Sequence, residues 1–212
     1  MTRTVLIGTT NPAKIDRFRR LLAGYDVQLI TLRELNITAE PEETGRTPAE
    51  NARQKAEFYG QFSDLVLCND SGLYFVDLPL EDPRQPGLHI RSPQGVRLND
   101  DEMIAYYSGL AHSLGGKALA AYYDGVAVYN NGIVTDWMDK PEFVRQNAFA
   151  LVAVPSPKRH PGWPLDSLSV NCSSGRYFVE GGSEKDGEQI ILGEYRRHLI
   201  DFLVKALGLT AR

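Results

Sequence analysis

Strand signals and helix-start signals alternate along the first third of this 212-residue chain, and this order favours an α/β fold. The apolar run at residues 4–8 predicts a strand, and Asn11-Pro12 directly after it predicts an N-cap and the first residue of a helix. Residues 25–32 predict a second strand. Thr47-Pro48-Ala49-Glu50 has the form of a capping box with proline at the first helical position, so a second helix begins there.

The remaining pattern extends this order over residues 1–212 as one domain. Residues 65–68 predict a third strand, which the turn-forming residues 69–72 interrupt before an extended pattern resumes. Four further elements are predicted: a helix at 100–114, a hairpin of 118–129 with 132–137 around Asn130-Asn131, more sheet at 143–154, and a final helix at 188–207.

Composition excludes several classes of protein. A hydrophobic share of 42% and a charged share of 24% are those of an ordinary globular protein. The formal net charge of −4 argues against a nucleic-acid surface, although a local groove for a phosphorylated small molecule stays compatible with it. No apolar run is long enough for a membrane span, and Cys68 and Cys172 lack metal-ligand spacing. We therefore expect a cytoplasmic protein that binds neither membrane nor nucleic acid.

The segment after the first strand, Thr9 to Lys14, has the chemistry of an anion site. A strand that leads directly into a helix presents free backbone N–H groups and the positive end of the helix dipole, and Lys14 lies in the first turn. The segment lacks the glycine-rich pattern of a P-loop. An ordinary capped turn with a solvated lysine therefore remains the alternative.

Two carboxylates and a second lysine come to the same edge if the predicted strands are neighbours. Glu43 precedes the second helix, Lys55 lies four residues after Asn51 on that helix, and Asp70 follows the third strand. Carboxylates there suit a hard divalent cation and lysines suit phosphate oxygens. The pattern predicts a magnesium and phosphate site, with a plain Asx-turn at Asp70 as the alternative.

Three motifs, "TTNPAK", "EETGRTPAENARQKA" and "NDSGL", in this order resemble those of the Ham1 (inosine triphosphate pyrophosphatase) family. The middle motif is the most specific, because it contains two acids, Thr-Gly, Thr, Glu-Asn-Ala and Lys-Ala at the family's spacing. The resemblance implies an α/β, ITPase-like fold with a long central mixed sheet, flanking helices and two lobes around a substrate cleft. It also implies a homodimer.

The activity implied by this resemblance is the Mg²⁺-dependent hydrolysis of deaminated purine nucleoside triphosphates, such as ITP, dITP and XTP, to monophosphate and pyrophosphate. In that family the residue matching Asp70 is the carboxylate proposed to activate water. Carried over to this chain, the substrate-binding residues would be Thr9, Asn11, Lys14, Lys55, Ser71 and Gly72, and the metal ligands would be Glu43, Asn69 and Asp70.

The chain departs from the family pattern in its metal-binding and base-binding motifs. Asn69 stands where the family has the first of two aspartates, and an amide oxygen is a weaker ligand for magnesium. The base-binding motif survives only as "GWPLDS", where Trp163 would stack on a purine or pack on the core, and Asp166 is in register. Arg197 stands in for a carboxy-terminal arginine, with Lys185 as the nearest candidate lysine. A nucleotide-binding sensor with reduced hydrolysis is therefore the alternative function.

Overall fold

The computed structural model describes residues 2–79, 82–181 and 188–211, and it confirms the predicted α/β class with a mixed sheet and flanking helices. The chain divides into two compact units. The first unit comprises Met1–Ser71, Asp124–Asp139 and Leu192–Arg212, and the second unit comprises Gly72–Tyr123 and Lys140–Ile191.

The sheet of the first unit has parallel strands at one edge and an antiparallel hairpin at the other edge. Strand β1 (Arg3–Ile7) pairs in parallel with β2 (Val27–Thr31) and with β3 (Leu65–Phe75). Strand β3 is also hydrogen-bonded to β4 (Lys117–Asn130), which forms an antiparallel hairpin with β5 (Ile133–Met138). The amino-terminal strand predictions are therefore confirmed.

Helices cover both faces of this part of the sheet. One face buries Val5, Ile7, Leu65 and Leu67 in a core shared with apolar residues of α1 (Pro12–Leu21) and α5 (Glu188–Leu207). The other face packs α2 (Pro48–Tyr59), through Ala52, Ala56 and Tyr59, against Leu6, Val66 and Cys68. Because side chains alternate along a strand, consecutive residues of β3 point to different helices. None of the described helices is long and apolar enough to cross a bilayer.

The second unit is built on the continuations of β3 and β4. The first residues of β4 pair with β6 (Phe149–Val152), which in turn pairs with β7 (Ser169–Val170). Helix α3 (Asp100–Ser113) buries Met103 and Tyr107 in a core with Phe75 and Phe149. The short helix α4 (Pro141–Gln146) precedes β6.

Three local predictions were wrong, each for a local reason. The predicted sheet at 143–154 begins as α4, because Pro141 occupies the first helical position and Glu142 the first turn. The hairpin loop is Asn131-Gly132, since both have positive φ, as a type I′ turn requires. The capping box is only half formed. Thr47 caps Glu50 N, but the Glu50 carboxylate accepts from Arg46 N.

The predicted interruption at residues 69–72 is also absent, because β3 continues through it to Phe75. Hydrogen bonds from Asn131 N to Asp64 O and from Val76 N to Leu119 O place β4 beside both ends of β3. These sheet contacts override the turn propensity of Asn-Asp-Ser-Gly. Strand β1 pairs only as far as Leu67, so Asp70 lies on a strand that extends beyond the carboxyl end of its parallel neighbour.

Candidate active site

Asp70 is the centre of a polar cluster on the α2 side of β3, and its side chain is 13% exposed. Its Oδ1 lies 3.3 Å from Lys55 Nζ and 4.0 Å from Lys14 Nζ. Its Oδ2 accepts a 2.9 Å hydrogen bond from Asn51 Nδ2. Asn51 and Lys55 reach the same carboxylate because residues four apart lie on one face of a helix, as predicted.

Lys55 lies between two carboxylates. Its Nζ is 2.9 Å from Glu43 Oε1 in the loop before α2 and 3.3 Å from Asp70 Oδ1. Burial lowers the pKa of Lys55, but the attraction of Asp70 and Glu43 outweighs burial, so the pKa is raised overall. Lys55 therefore carries its charge throughout the neutral range.

For Lys14, burial outweighs the attraction of the carboxylates, so its pKa is lowered. Burial lowers its pKa, the charge on Lys55 adds to this effect, and the attraction of Asp70 only partly offsets it. The lysine lies in the first turn of α1, where its N–H bonds Asn11 Oδ1 at 3.4 Å, as the predicted N-cap requires. Asn11 N in turn bonds Thr9 Oγ1 at 3.2 Å. The turn after β1 thus places a cation next to Asp70.

A small polar pocket joins the turn after β1 to the Glu43 loop. Its volume is about 100 Å³, which suits a phosphate group or a hydrated cation but not a whole nucleotide. Gly8 is required at its floor, because a Cβ there would lie 2.3 Å from Cys68 Sγ. The lining residues are Gly8, Thr9, Thr10, Glu40, Pro41, Glu43, Lys55 and Tyr59.

Three carboxylates are candidates to hold a hard cation here, and one of them, Glu40, lines the pocket beside Glu43. Glu43 and Asp70 are the two carboxylates that contact Lys55. Within the described ranges, no three His, Cys, Asp or Glu side chains are grouped so that they could hold a metal ion. Magnesium commonly takes one or two carboxylates and completes its shell with water and phosphate oxygens. The donor set fits magnesium on those terms.

Asn69 lies on the opposite face of β3 from Asp70, as strand alternation requires. It is 1% exposed, and neither its Oδ1 nor its Nδ2 has a hydrogen-bond partner among the described residues. Its assignment as a metal ligand stays a prediction. The alternation of β3 weighs against a cation shared with Asp70.

Ser71 shares that opposite face with a partly buried ion pair that was not predicted from the sequence. Ser71 Oγ donates a 2.5 Å hydrogen bond to Asp124 Oδ1, and Arg17 pairs with Asp124 Oδ2. An aspartate within the apolar run of β4, and an arginine three residues after Lys14, were the available signals. Gly72 lies in the second unit, where a Cβ would be 2.6 Å from the ring of Tyr74.

Most of the predicted base-reading residues lie in the second unit. Trp163 is 50% exposed, so it does not pack on the core, and Asp166 pairs with His160 at 2.9 Å. Arg197 is exposed on α5 in the first unit. Lys185 lies outside the described residues. The first unit therefore brings together Thr9, Lys14, Glu43, Lys55 and Asp70. Trp163 and Asp166 belong to the second unit.

Curated relatives match part of the chain. The dITP/XTP pyrophosphatase of Bacillus subtilis is 35% identical over 105 residues, which is 48% of this chain and 50% of that protein. The enzyme of the same name from Thermoanaerobacter pseudethanolicus is 35% identical over 86 residues, 40% of this chain and 41% of that protein. The matched segments thus span about half the length of these relatives or less.

Solved structures match over nearly the whole chain. A HAM1 protein from Coxiella burnetii superposes with a TM-score of 0.70 at 20% identity, covering 97% of this chain and all of that one. The Staphylococcus aureus Ham1 protein gives a TM-score of 0.63 at 18% identity, covering 93% and 98%. At these identities the likeness concerns the fold.

The Ham1 family model matches residues 5–142, which include the turn after β1, the Glu43 loop, α2 and β3. The match covers more than half of the chain and contains the polar cluster around Asp70. This chain belongs to the Ham1 family.

Proposed function

We propose that this chain hydrolyses nucleoside triphosphates to nucleoside monophosphate and pyrophosphate with Mg²⁺, and that deaminated purine nucleotides are its substrates. The observation that carries the proposal is the position of Lys55. Its ammonium lies between Glu43 and Asp70 and lines one pocket with the turn at Gly8–Thr10. The names of the curated relatives, dITP/XTP pyrophosphatase, support the choice of substrate class.

The cations in this cluster suit a triphosphate. Lys55 and Lys14 both approach Asp70 Oδ1, and each can donate to a phosphate oxygen in place of the carboxylate. The amino terminus of α1 adds the positive end of the helix dipole. These groups would stabilise the negative charge that spreads over the phosphate oxygens during transfer.

Asp70 is the proposed general base. Its Oδ1 would take a proton from the water that attacks phosphorus, while Oδ2 stays bonded to Asn51. Glu43 and Asp70 are the residues that would hold Mg²⁺. The bound ion would neutralise phosphate charge and help align the triphosphate.

The direct test is the product formed from a panel of ITP, XTP, dITP, ATP, GTP and pyrimidine triphosphates with magnesium. We expect the product to be pyrophosphate rather than phosphate. Its release should be fastest from the deaminated purine nucleotides. Release of phosphate would assign a different phosphoanhydride hydrolase. Tight binding of a nucleotide without release of either product would favour the alternative of a sensor, which the replacement of an aspartate by Asn69 supports.

Glu43→Gln is expected to raise the magnesium concentration for half-maximal rate by roughly 10-fold, because a charged ligand becomes a neutral one. The measurement is a magnesium titration of pyrophosphate release at saturating nucleotide. Glu42→Gln is the matched control, since Glu42 is exposed and does not line the pocket. Equal magnesium dependence in the two variants would remove Glu43 from the ligands.

Lys14 gives a prediction for alkaline pH. Because its pKa is lowered, Lys14 loses its charge at a lower pH than an ordinary lysine, so phosphate binding weakens as pH rises through that value. The kcat/KM of the wild type should fall on the alkaline side at a lower pH than the loss of charge of an ordinary lysine would give, whereas Lys14→Arg should hold its value there, since arginine stays charged. A parallel fall in both proteins would contradict this role for Lys14.

A further inference from the structure

We infer that Asn51 is the positioning residue for Asp70, an inference that rests on the function proposed above. The Asn51 amide holds one carboxylate oxygen of Asp70, and this leaves the other oxygen directed at the two lysines. The same amide connects Asp70 to the loop that carries Glu43.

The orientation of the Asn51 amide is fixed by its two partners. Gly45 N donates a 2.8 Å hydrogen bond to Asn51 Oδ1, which can only accept. The NH₂ group must therefore face the other way, where Nδ2 donates to Asp70 Oδ2 at 2.9 Å. Asn51 is 1% exposed, so bulk water does not compete for either bond. The donor that reaches Asp70 is set by the fold.

Because of this bond, the two carboxylate oxygens of Asp70 have different partners. Oδ2 is anchored to Asn51, and Oδ1 faces Lys55 at 3.3 Å and Lys14 at 4.0 Å. Oδ1 is thus the oxygen that meets phosphate-binding cations and can accept the proton of an attacking water.

The space around Gly45 also supports the link between Asn51 and the loop that carries Glu43. A Cβ at Gly45 would lie 2.6 Å from Asn51 Oδ1 and 2.8 Å from Asn51 N. Only glycine allows the loop backbone to approach the amide this closely. Since Gly45 follows Glu43 by two residues, the loop that places the proposed magnesium ligand is attached to the residue that orients the proposed base.

The charged groups around Asp70 determine how a new charge at position 51 would affect its protonation. Lys55 approaches from α2 and Lys14 from α1, and Glu43 lies on the far side of Lys55. Burial raises the pKa of Tyr59 and of Cys68, on the same side of the sheet, to about 12, so neither titrates near neutral pH. A carboxylate at position 51 would therefore act on Asp70 directly, and a like charge favours the protonated form.

The test is Asn51→Asp, which keeps the shape and still accepts from Gly45 N but replaces the donor to Asp70 by a carboxylate. The acid limb of the pH profile of kcat/KM is expected to move upward by at least about one pH unit. Gln54→Glu is the matched control. It makes the same change of charge one helical turn away, where the side chain contacts Thr44 rather than Asp70.

A ¹³C NMR titration of the Asp70 carboxyl carbon in the unliganded protein gives the same comparison without turnover. If the midpoint in Asn51→Asp moves no further than in Gln54→Glu, the inference is overturned. Asn51→Ala removes the donor without adding charge, and it should move the midpoint upward by less. An unchanged midpoint there also overturns the inference, even if Asn51→Asp does not fold. Absence of hydrolysis by the wild type would instead count against the proposed function, and the titration would still decide the role of Asn51.

Discussion

Asp70→Asn is expected to lower kcat for pyrophosphate release by at least about 100-fold, because general-base catalysis commonly contributes 10²–10⁴-fold. KM, measured at a magnesium concentration that saturates the variant, should stay the same or fall. The change removes the negative charge that Lys55 and Lys14 share, and both cations then become more available to the triphosphate. A loss confined to kcat identifies an interaction made in the transition state.

The fold of this variant should persist. An asparagine at position 70 can still accept from Asn51 Nδ2, and Lys55 keeps its 2.9 Å contact with Glu43. Asp136→Asn is the matched control, since this carboxylate of the first unit is exposed and pairs with Arg53. Its kcat should equal that of the wild type. Near-normal turnover in Asp70→Asn would exclude Asp70 as the base.

The helix starts, and the common face of Asn51 and Lys55 on α2, were predictable from sequence because they depend on short-range chemistry. The Asn11-Pro12 and Thr47-Pro48 signals begin α1 and α2 where expected. The spacing of four between Asn51 and Lys55 gave their common contact with Asp70. These features are set by residues within one or two turns of each other.

The continuous course of β3 was not predictable in this way. The stretch from Asn69 to Gly72 has turn-forming residues, and hydrogen bonding of β3 to residues distant in the chain holds it extended. These partners are β4, some fifty residues later, and Gly87, which bonds Leu73. The same long-range pairing decides that Asn69 and Asp70 face different helices. A sequence in which two polar residues are adjacent gave no sign that the sheet separates them.

Gly125→Ala is expected to destabilise the protein by about 3 kcal/mol, at the upper end of the usual cost of overpacking. The Ser71 to Asp124 hydrogen bond places those two residues on one face of the sheet, so the adjacent Asp70 and Gly125 share the other face. A Cβ at Gly125 would lie 2.1 Å from Ala49 N and 2.2 Å from the carbonyl carbon of Pro48. These are backbone atoms of α2, so they cannot turn aside as a side chain can.

Relief of this clash requires the start of α2 to move away from β4, and Asn51 and Lys55 would move with it. The melting temperature Tm should therefore fall by roughly 6–12 °C. The kcat should fall as well, since Asn51 and Lys55 would no longer lie within hydrogen-bonding distance of Asp70. Gly109→Ala is the control, because this glycine-to-alanine change is expected to raise the stability of the protein. Gly109 is exposed within α3 with no atom within 4 Å of an added Cβ, so alanine there should stabilise by about 0.5–1 kcal/mol. Equal stability of the two variants would mean that β4 does not set the position of α2, and the proposed geometry around Asp70 would then need another support.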